Sequence, residues 1–151
     1  EARVAVLAFV RPNGRPNQVP IWYVYDGETL LMSTMSGSPK HRALQADSRV
    51  TITVQDERPP YRAVIIDGTV EMSPIDATAN PIQNMDVRYF GRFGAAQYRK
   101  LTDQVYAESG LVLIRLVPSA VRGFDNTHAI GRPSLAFMRL RNRLPIPRSW
   151  L

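Results

Sequence analysis

Apolar residues along this chain alternate with polar ones at a period of two, which is the spacing of half-buried β-strands. The clearest case is residues 50–55 (VTITVQ), where three β-branched apolar residues alternate with three polar ones. Five further segments have the apolar, β-branched and aromatic composition of strands. The predicted strands are 4–10, 18–25, 29–34, 50–55, 63–72 and 111–117.

Short turn sequences separate these strands. Asn13-Gly14 is a strong hairpin signal, and Asp26-Gly27 predicts a second turn. Asp67-Gly68 falls inside the fifth strand and predicts a bulge or sharp bend. Six strands joined by tight turns, with few helices, favour a mainly β fold that closes into a small barrel, because closure removes exposed apolar edges.

Two helices are predicted between the strands. Ser38-Pro39 is a helix-start signal, and the helix that follows is expected to span 39–46. A second helix is expected over 95–108, after an irregular helical insertion at 74–91, and Ser109-Gly110 should end it. Its apolar face is expected to hold Tyr98, Leu101, Val105 and Tyr106.

The segment from Thr34 to Leu44 is the strongest candidate for a binding site. It places a strand end, a hydroxyl-rich loop and a helix N-terminus with Lys40 in its first turn next to each other. Free N–H groups and the helix dipole favour an anion there, and a phosphate is the expected guest. Lys40 is one of only two lysines among 19 basic residues. The alternative interpretation is an ordinary capped surface helix.

Composition removes several classes of chemistry. The chain has no Cys and two His, so a thiol nucleophile is excluded, and neither a metal site nor a Ser-His-Asp triad is expected. No apolar run approaches the ~20 residues of a membrane span, and no signal peptide is visible, although the chain begins at Glu1 without Met. The expected location is the cytoplasm.

The net charge of +6 is concentrated at one end of the chain. Residues 127–151 hold five arginines and no acidic residue. The expected organisation is therefore a barrel domain over 1–126 and a basic tail over 127–151. Nucleic acid, an anionic ligand, solvent or a partner subunit could each face such a tail. Its apolar side chains favour packing on protein, most readily on a dimer; among them are Leu135, Phe137, Met138, Leu140, Leu144, Ile146 and Trp150.

The order of these pieces resembles the pyridoxamine-phosphate-oxidase-like split-barrel family, which includes flavin and deazaflavin (F-420) enzymes. The resemblance covers about residues 4–125 and implies a six-stranded split β-barrel that forms a homodimer, with the cofactor at the subunit interface. The matching stretches are 4–10, 13–27, 31–40, 44–50, 66–71 and 112–121.

The resemblance also carries candidate site residues. The family's hydroxyl-x-x-x-Ser-x-Lys phosphate site falls on Thr34, Ser38 and Lys40, with Ser33 and Pro39 beside it. This agrees with the anion site expected from the residues themselves.

A second set follows from the family's second strand, which lies along the edge of the isoalloxazine ring and offers backbone groups. Here that strand holds Val19, Pro20, Ile21 and Trp22, and Arg62 falls where many members place a polar residue near the cofactor. Trp22 could equally be part of the core, and Arg62 could be a surface residue.

One departure bears on the cofactor. The oxidase proper has an Arg on the second strand that holds the phosphate, and this chain has Val19-Pro20-Ile21 there. The resemblance therefore points to an F-420-dependent reductase of a small organic molecule, with FMN as the alternative cofactor. A non-catalytic flavin, deazaflavin or haem binder is the second hypothesis. Nucleic-acid binding is not favoured, because aromatic and basic residues do not interleave along one groove.

Overall fold

The computed structural model describes residues 2–75 and 80–128, together with Ser134, Ala136 and Met138. Most of the basic tail lies outside these residues, so its expected packing on a dimer stays a prediction. The elements of the described body are β1 Ala5–Val10, β2 Pro16–Ile21, β3 Val24–Tyr25, β4 Leu30–Met35, α1 Pro39–Ala46, β5 Arg49–Gln55, β6 Arg62–Pro74, α2 Met85–Ser109 and β7 Leu111–Asp125.

The strands of this body form one antiparallel sheet in the order β2-β1-β5-β6-β7-β4-β3. The sheet has seven strands rather than six, because the predicted strand 18–25 divides. Ile21 pairs with β1 at one edge of the sheet, whereas Val24 pairs with β4 at the opposite edge. Only Trp22 and Tyr23 connect them, and three Cα steps reach at most about 11 Å. The sheet must therefore curl until its edges nearly meet, which confirms the predicted mainly β, split-barrel class.

The longest ladder joins β6 and β7, and it contains the predicted bulge. The register shifts between Asp67 and Gly68. A Cβ on Gly68 would collide with the backbone carbonyl of Val117, so only glycine fits at this close approach. β7 runs on to Asp125, well past its predicted end, because β6 continues to pair with it.

The barrel core contains apolar side chains from β1, β4, β5, β6 and β7, and α1 covers one end of it. Ala43 and Leu44 of α1 are buried in this core. The helix begins as predicted: Ser38 is the N-cap, its Oγ accepts the His41 N–H at 3.2 Å, and Pro39 occupies the first helical position. The fully buried large side chains are Leu7, Leu31, Met32, Leu44, Ile52, Ile114 and Leu116.

The second helix differs from its prediction at the N-terminal end. α2 starts at Met85 and kinks at Gly91 (φ 68°, ψ 173°), so the expected helix over 95–108 is only its second arm. Its predicted apolar face is not buried in the protomer, because Leu101 is 79% exposed. Among the described residues, no helix is both long and apolar enough to cross a membrane.

Candidate functional site

The end of β4 and the start of α1 bring two hydroxyl groups together. Thr34 Oγ1 lies 3.1 Å from Ser38 Oγ, and the Thr34 side chain is buried. Ser38 Oγ also accepts the N–H of His41. Because each hydroxyl has one hydrogen, one hydrogen closes the Thr34–Ser38 bond and the other can be donated to a ligand.

Lys40 lies in the first turn of α1, two positions after Ser38, and we call Thr34, Ser38 and Lys40 the hydroxyl–lysine cluster. The Lys40 side chain is half-buried, and burial lowers the pKa of its ammonium group because desolvation penalises the charged form. Among the described residues, no acidic side chain forms an ion pair with it. A bound anion would compensate this charge.

The helix end itself offers fewer donors than expected. Pro39 has no N–H, and the N–H of His41 donates to Ser38. In the first turn of α1, the backbone N–H of Lys40 is therefore the donor that remains available to a ligand. The Gly37 N–H, in the loop before the helix, donates to His41 Nδ1 at 2.9 Å. Binding of an anion here would therefore rely on the Lys40 ammonium and a hydroxyl more than on backbone groups.

The structure separates Ser33 from this cluster. Ser33 pairs with Leu113 and Thr34 with Val112 across the β4–β7 ladder. Successive residues of a strand point to opposite faces of the sheet. The Ser33 side chain is therefore on the other face from Thr34, and the exposed Pro39 contributes no donor.

The predicted second-strand residues lie at the edge of the sheet. Ile21 is buried and Val19 packs against the core, so neither side chain faces outward, whereas Pro20 is exposed. Within the described sheet, β2 pairs only with β1, and its other edge carries unpaired backbone groups. This arrangement suits a ligand that is recognised through main-chain atoms.

Trp22 lies in an aromatic cluster at the point where the chain leaves β2. Its ring stacks on Tyr89 with centroids 4.8 Å apart and an interplanar angle of 12°. Phe90 meets it edge-on at 5.1 Å, and Tyr98 lies at 5.4 Å. These α2 partners were missed from the sequence, since they are more than 60 positions away and no local pattern joins them to Trp22.

Arg62 occupies a third location. Its Nε donates to Asp56 Oδ2 at 2.6 Å, while Arg3 pairs with the other oxygen of Asp56 at 2.5 Å. A surface cavity of about 490 Å³ borders this group. Ser33 of β4 and Ser73 of β6 both pair with Leu113 of β7, so Ser73 marks the level of the cluster on β6. Arg62 lies eleven residues before Ser73, which is about 35 Å along the strand. One protomer therefore does not bring Arg62 to the hydroxyl–lysine cluster.

A curled antiparallel sheet with two nearly meeting edges and a helix over one end defines a split β-barrel. A family profile for pyridoxamine 5'-phosphate oxidase matches residues 1–124, and the chain belongs to that family. A sequence search among curated proteins finds no match.

Several solved structures share the fold. The conserved hypothetical protein Rv2991 from Mycobacterium tuberculosis is similar over 100% of this chain and 88% of its own, with 20% identity and a TM-score of 0.67. A structure described as an F-420 reductase is 28% identical over 81% of this chain and 90% of its own, with a TM-score of 0.57. An FMN-binding protein from Nostoc punctiforme is 18% identical over 87% and 76%, with a TM-score of 0.58.

Proposed function

We propose that the protein is an oxidoreductase that uses a flavin or deazaflavin, with coenzyme F-420 preferred over FMN, and moves a hydride to or from a small organic substrate. The observation that carries the proposal is the hydroxyl–lysine cluster: two hydroxyls in contact where α1 begins and, in its first turn, a half-buried lysine with no acidic partner among the described residues. Family membership and the 28% identity to an F-420 reductase support it.

The charge of the cluster favours F-420 over FMN. A phosphate monoester, as in FMN, carries about −1.5 to −2 charges at pH 7, whereas the phosphodiester of F-420 carries a single charge. Lys40 is the cation of the cluster, and the nearby guanidinium of Arg42 donates to the Gly37 carbonyl while keeping its own charge. The second strand offers Val19-Pro20-Ile21 and no arginine. The single ammonium of Lys40 balances a diester better than a monoester.

The protein's part in this chemistry is to hold and orient the cofactor, which itself supplies the hydride chemistry. Lys40 and a hydroxyl hydrogen of Thr34 or Ser38 would hold the phosphate. The unpaired backbone edge of β2 would lie along the ring. In the homodimer that we infer, a second protomer would complete the site, which is consistent with the distant position of Arg62 and with the exposed apolar residues Phe93 and Leu101.

Titration of the full chain with F-420 and with FMN, followed by absorbance, tests the proposal. We expect tighter binding of F-420, and Lys40→Ala should weaken it by about 10- to 150-fold. A charge-assisted hydrogen bond contributes about 1.5–3 kcal/mol, and about 1.4 kcal/mol corresponds to a tenfold change. The free energy of unfolding should barely change.

Lys100→Ala is the matched control, since Lys100 is the chain's other lysine and is exposed on α2. It should bind like the parent. Equal affinities for Lys40→Ala and the parent at physiological salt would place the phosphate elsewhere, and FMN binding without F-420 binding would reverse the cofactor preference. Light scattering that gives one 17.0 kDa chain at all concentrations would contradict the dimer.

An FMN-dependent enzyme of the same fold, or a binder without turnover, is the second candidate, favoured by the FMN-binding neighbour. A turnover assay with the reduced cofactor and an artificial electron acceptor separates an enzyme from a binder. Absence of turnover in a chain that binds the cofactor would support the binder.

A further inference from the structure

Two residues, Trp22 and Tyr23, connect β2 to β3, and we call them the crossing. The hydroxyl of Tyr89 in α2 contacts both the crossing and Arg3, which precedes β1. It accepts the Tyr23 N–H at 3.1 Å and lies 2.9 Å from the carbonyl oxygen of Arg3. The carbonyl oxygen of Tyr23 is farther away, at 3.4 Å. Since a phenol has one hydrogen, the shorter contact makes Arg3 the acceptor.

The crossing needs such a partner because it belongs to neither strand. Ile21 ends the pairing with β1 and Val24 begins the pairing with β4, so the Tyr23 amide between them has no ladder partner. Tyr23 is buried, and an unpaired buried amide is costly. Burial also raises the pKa of the Tyr89 phenol, because desolvation penalises the charged form.

We propose that Tyr89 is a positioning residue for the cofactor site: it fixes the crossing and thereby sets the backbone edge at Pro20–Trp22. The inference rests on the proposed function. Tyr89 is not part of that edge. It holds the edge in place because its hydroxyl accepts the Tyr23 N–H and its ring stacks on Trp22. Loss of the hydroxyl should loosen the edge that flanks the ring and leave the hydroxyl–lysine cluster intact.

Tyr89→Phe tests this role, because it removes the hydroxyl and keeps the ring that stacks on Trp22. We expect F-420 to bind about 5- to 20-fold more weakly, and the visible circular dichroism of the saturated cofactor to change. A purely structural role would lower the melting temperature without altering the signal of a saturated cofactor. Tyr25→Phe is the control: its exposed hydroxyl also donates to a backbone carbonyl, that of Gly27, at 2.7 Å.

The experiment also separates this inference from the proposed function. A parent chain that binds neither F-420 nor FMN overturns the function. Whether Tyr89 fixes the crossing is then read from Trp22 emission in a Trp150→Phe background, where acrylamide quenching should rise about 1.5-fold in Tyr89→Phe. Unchanged quenching, or a Tyr89→Phe chain whose affinity and dichroism match the parent and Tyr25→Phe, overturns the inference.

Discussion

The hydroxyl–lysine cluster and the crossing differ in how the chain builds them. Thr34, Ser38 and Lys40 lie within seven consecutive residues, where β4 ends and α1 begins, and the two hydroxyls are in contact. The crossing is held by Tyr89, which is 66 positions from Tyr23 and 86 from Arg3. The first region is locally encoded, whereas the second exists only after the sheet has curled and α2 has packed against it.

The two regions also differ in what stabilises them. The cluster holds a cation whose burial is unfavourable, so it contributes little to folding and is suited to a ligand. The crossing buries aromatic surface: Trp22 contacts three rings of α2 and packs near Leu31 and Met85. We therefore expect changes in the cluster to affect binding first, and changes at the crossing to affect stability as well.

The largest expected effect is that of Trp22→Ala. Removing this ring leaves a void between the crossing and α2, and large-to-small aromatic changes in cores cost about 3–5 kcal/mol. Since Trp22 is only half-buried, we expect a loss of about 2–3 kcal/mol in the free energy of unfolding, measured with urea.

Phe93→Ala is the matched control for Trp22→Ala. Phe93 is an aromatic residue of α2, the helix whose rings contact Trp22, but its own side chain is 80% exposed. Its loss should cost less than about 0.5 kcal/mol. A Trp22→Ala chain as stable as Phe93→Ala would mean that the aromatic cluster does not hold the crossing. A large loss for Phe93→Ala instead would indicate that its ring is covered in a dimer.

The difference between contacts made by neighbouring residues and contacts made across the fold also explains what could be predicted from the sequence. The bounds of α1, its cap at Ser38 and the bulge at Asp67-Gly68 follow from neighbouring residues, and all are confirmed. Six strands were predicted because residues 18–25 are rich in Val, Ile, Trp and Tyr, and only the pairing of Ile21 and Val24 with opposite edges divides them.

The candidate site divides in the same way. Thr34 and Ser38 were expected to face the same anion, and the structure places their hydroxyls 3.1 Å apart. Ser33 lies on the opposite face and Arg62 at the far end of β6, because strand alternation and sheet length decide their positions. Whether these residues bind the cofactor stays a prediction.

A pair of substitutions at Ser38 gives the next largest effect and separates capping from binding. Ser38→Ala should lower the free energy of unfolding by about 1 kcal/mol through loss of the cap, whereas Ser38→Gly costs only a few tenths. Both remove the hydroxyl beside Thr34, so F-420 affinity should fall equally in the two variants. Affinities that follow stability instead, with Ser38→Gly close to the parent, would show that Ser38 acts only as a cap.

The smallest expected effect is the pH dependence of the α2 arm that covers Trp22. Asp86, in the first turn of α2, pairs with Arg99 across the kink at 2.5 Å, and hydrogen bonding from Arg99 lowers its pKa. A carboxyl with a lowered folded-state pKa contributes stability that is present above its unfolded value of about 3.9 and is lost as the pH falls through the folded pKa.

We therefore expect the free energy of unfolding to fall below about pH 4, with Asp86 accounting for less than about 1 kcal/mol because Arg99 is partly open to water. Asp86→Asn should flatten this part of the pH profile, because it removes the carboxyl that pairs with Arg99. Trp22 emission in a Trp150→Phe background should change over the same pH range, because the Asp86–Arg99 pair holds the arm whose Tyr89 stacks on that ring. Identical profiles for Asp86→Asn and the parent would mean that ring packing alone, without this ion pair, keeps the arm over the crossing.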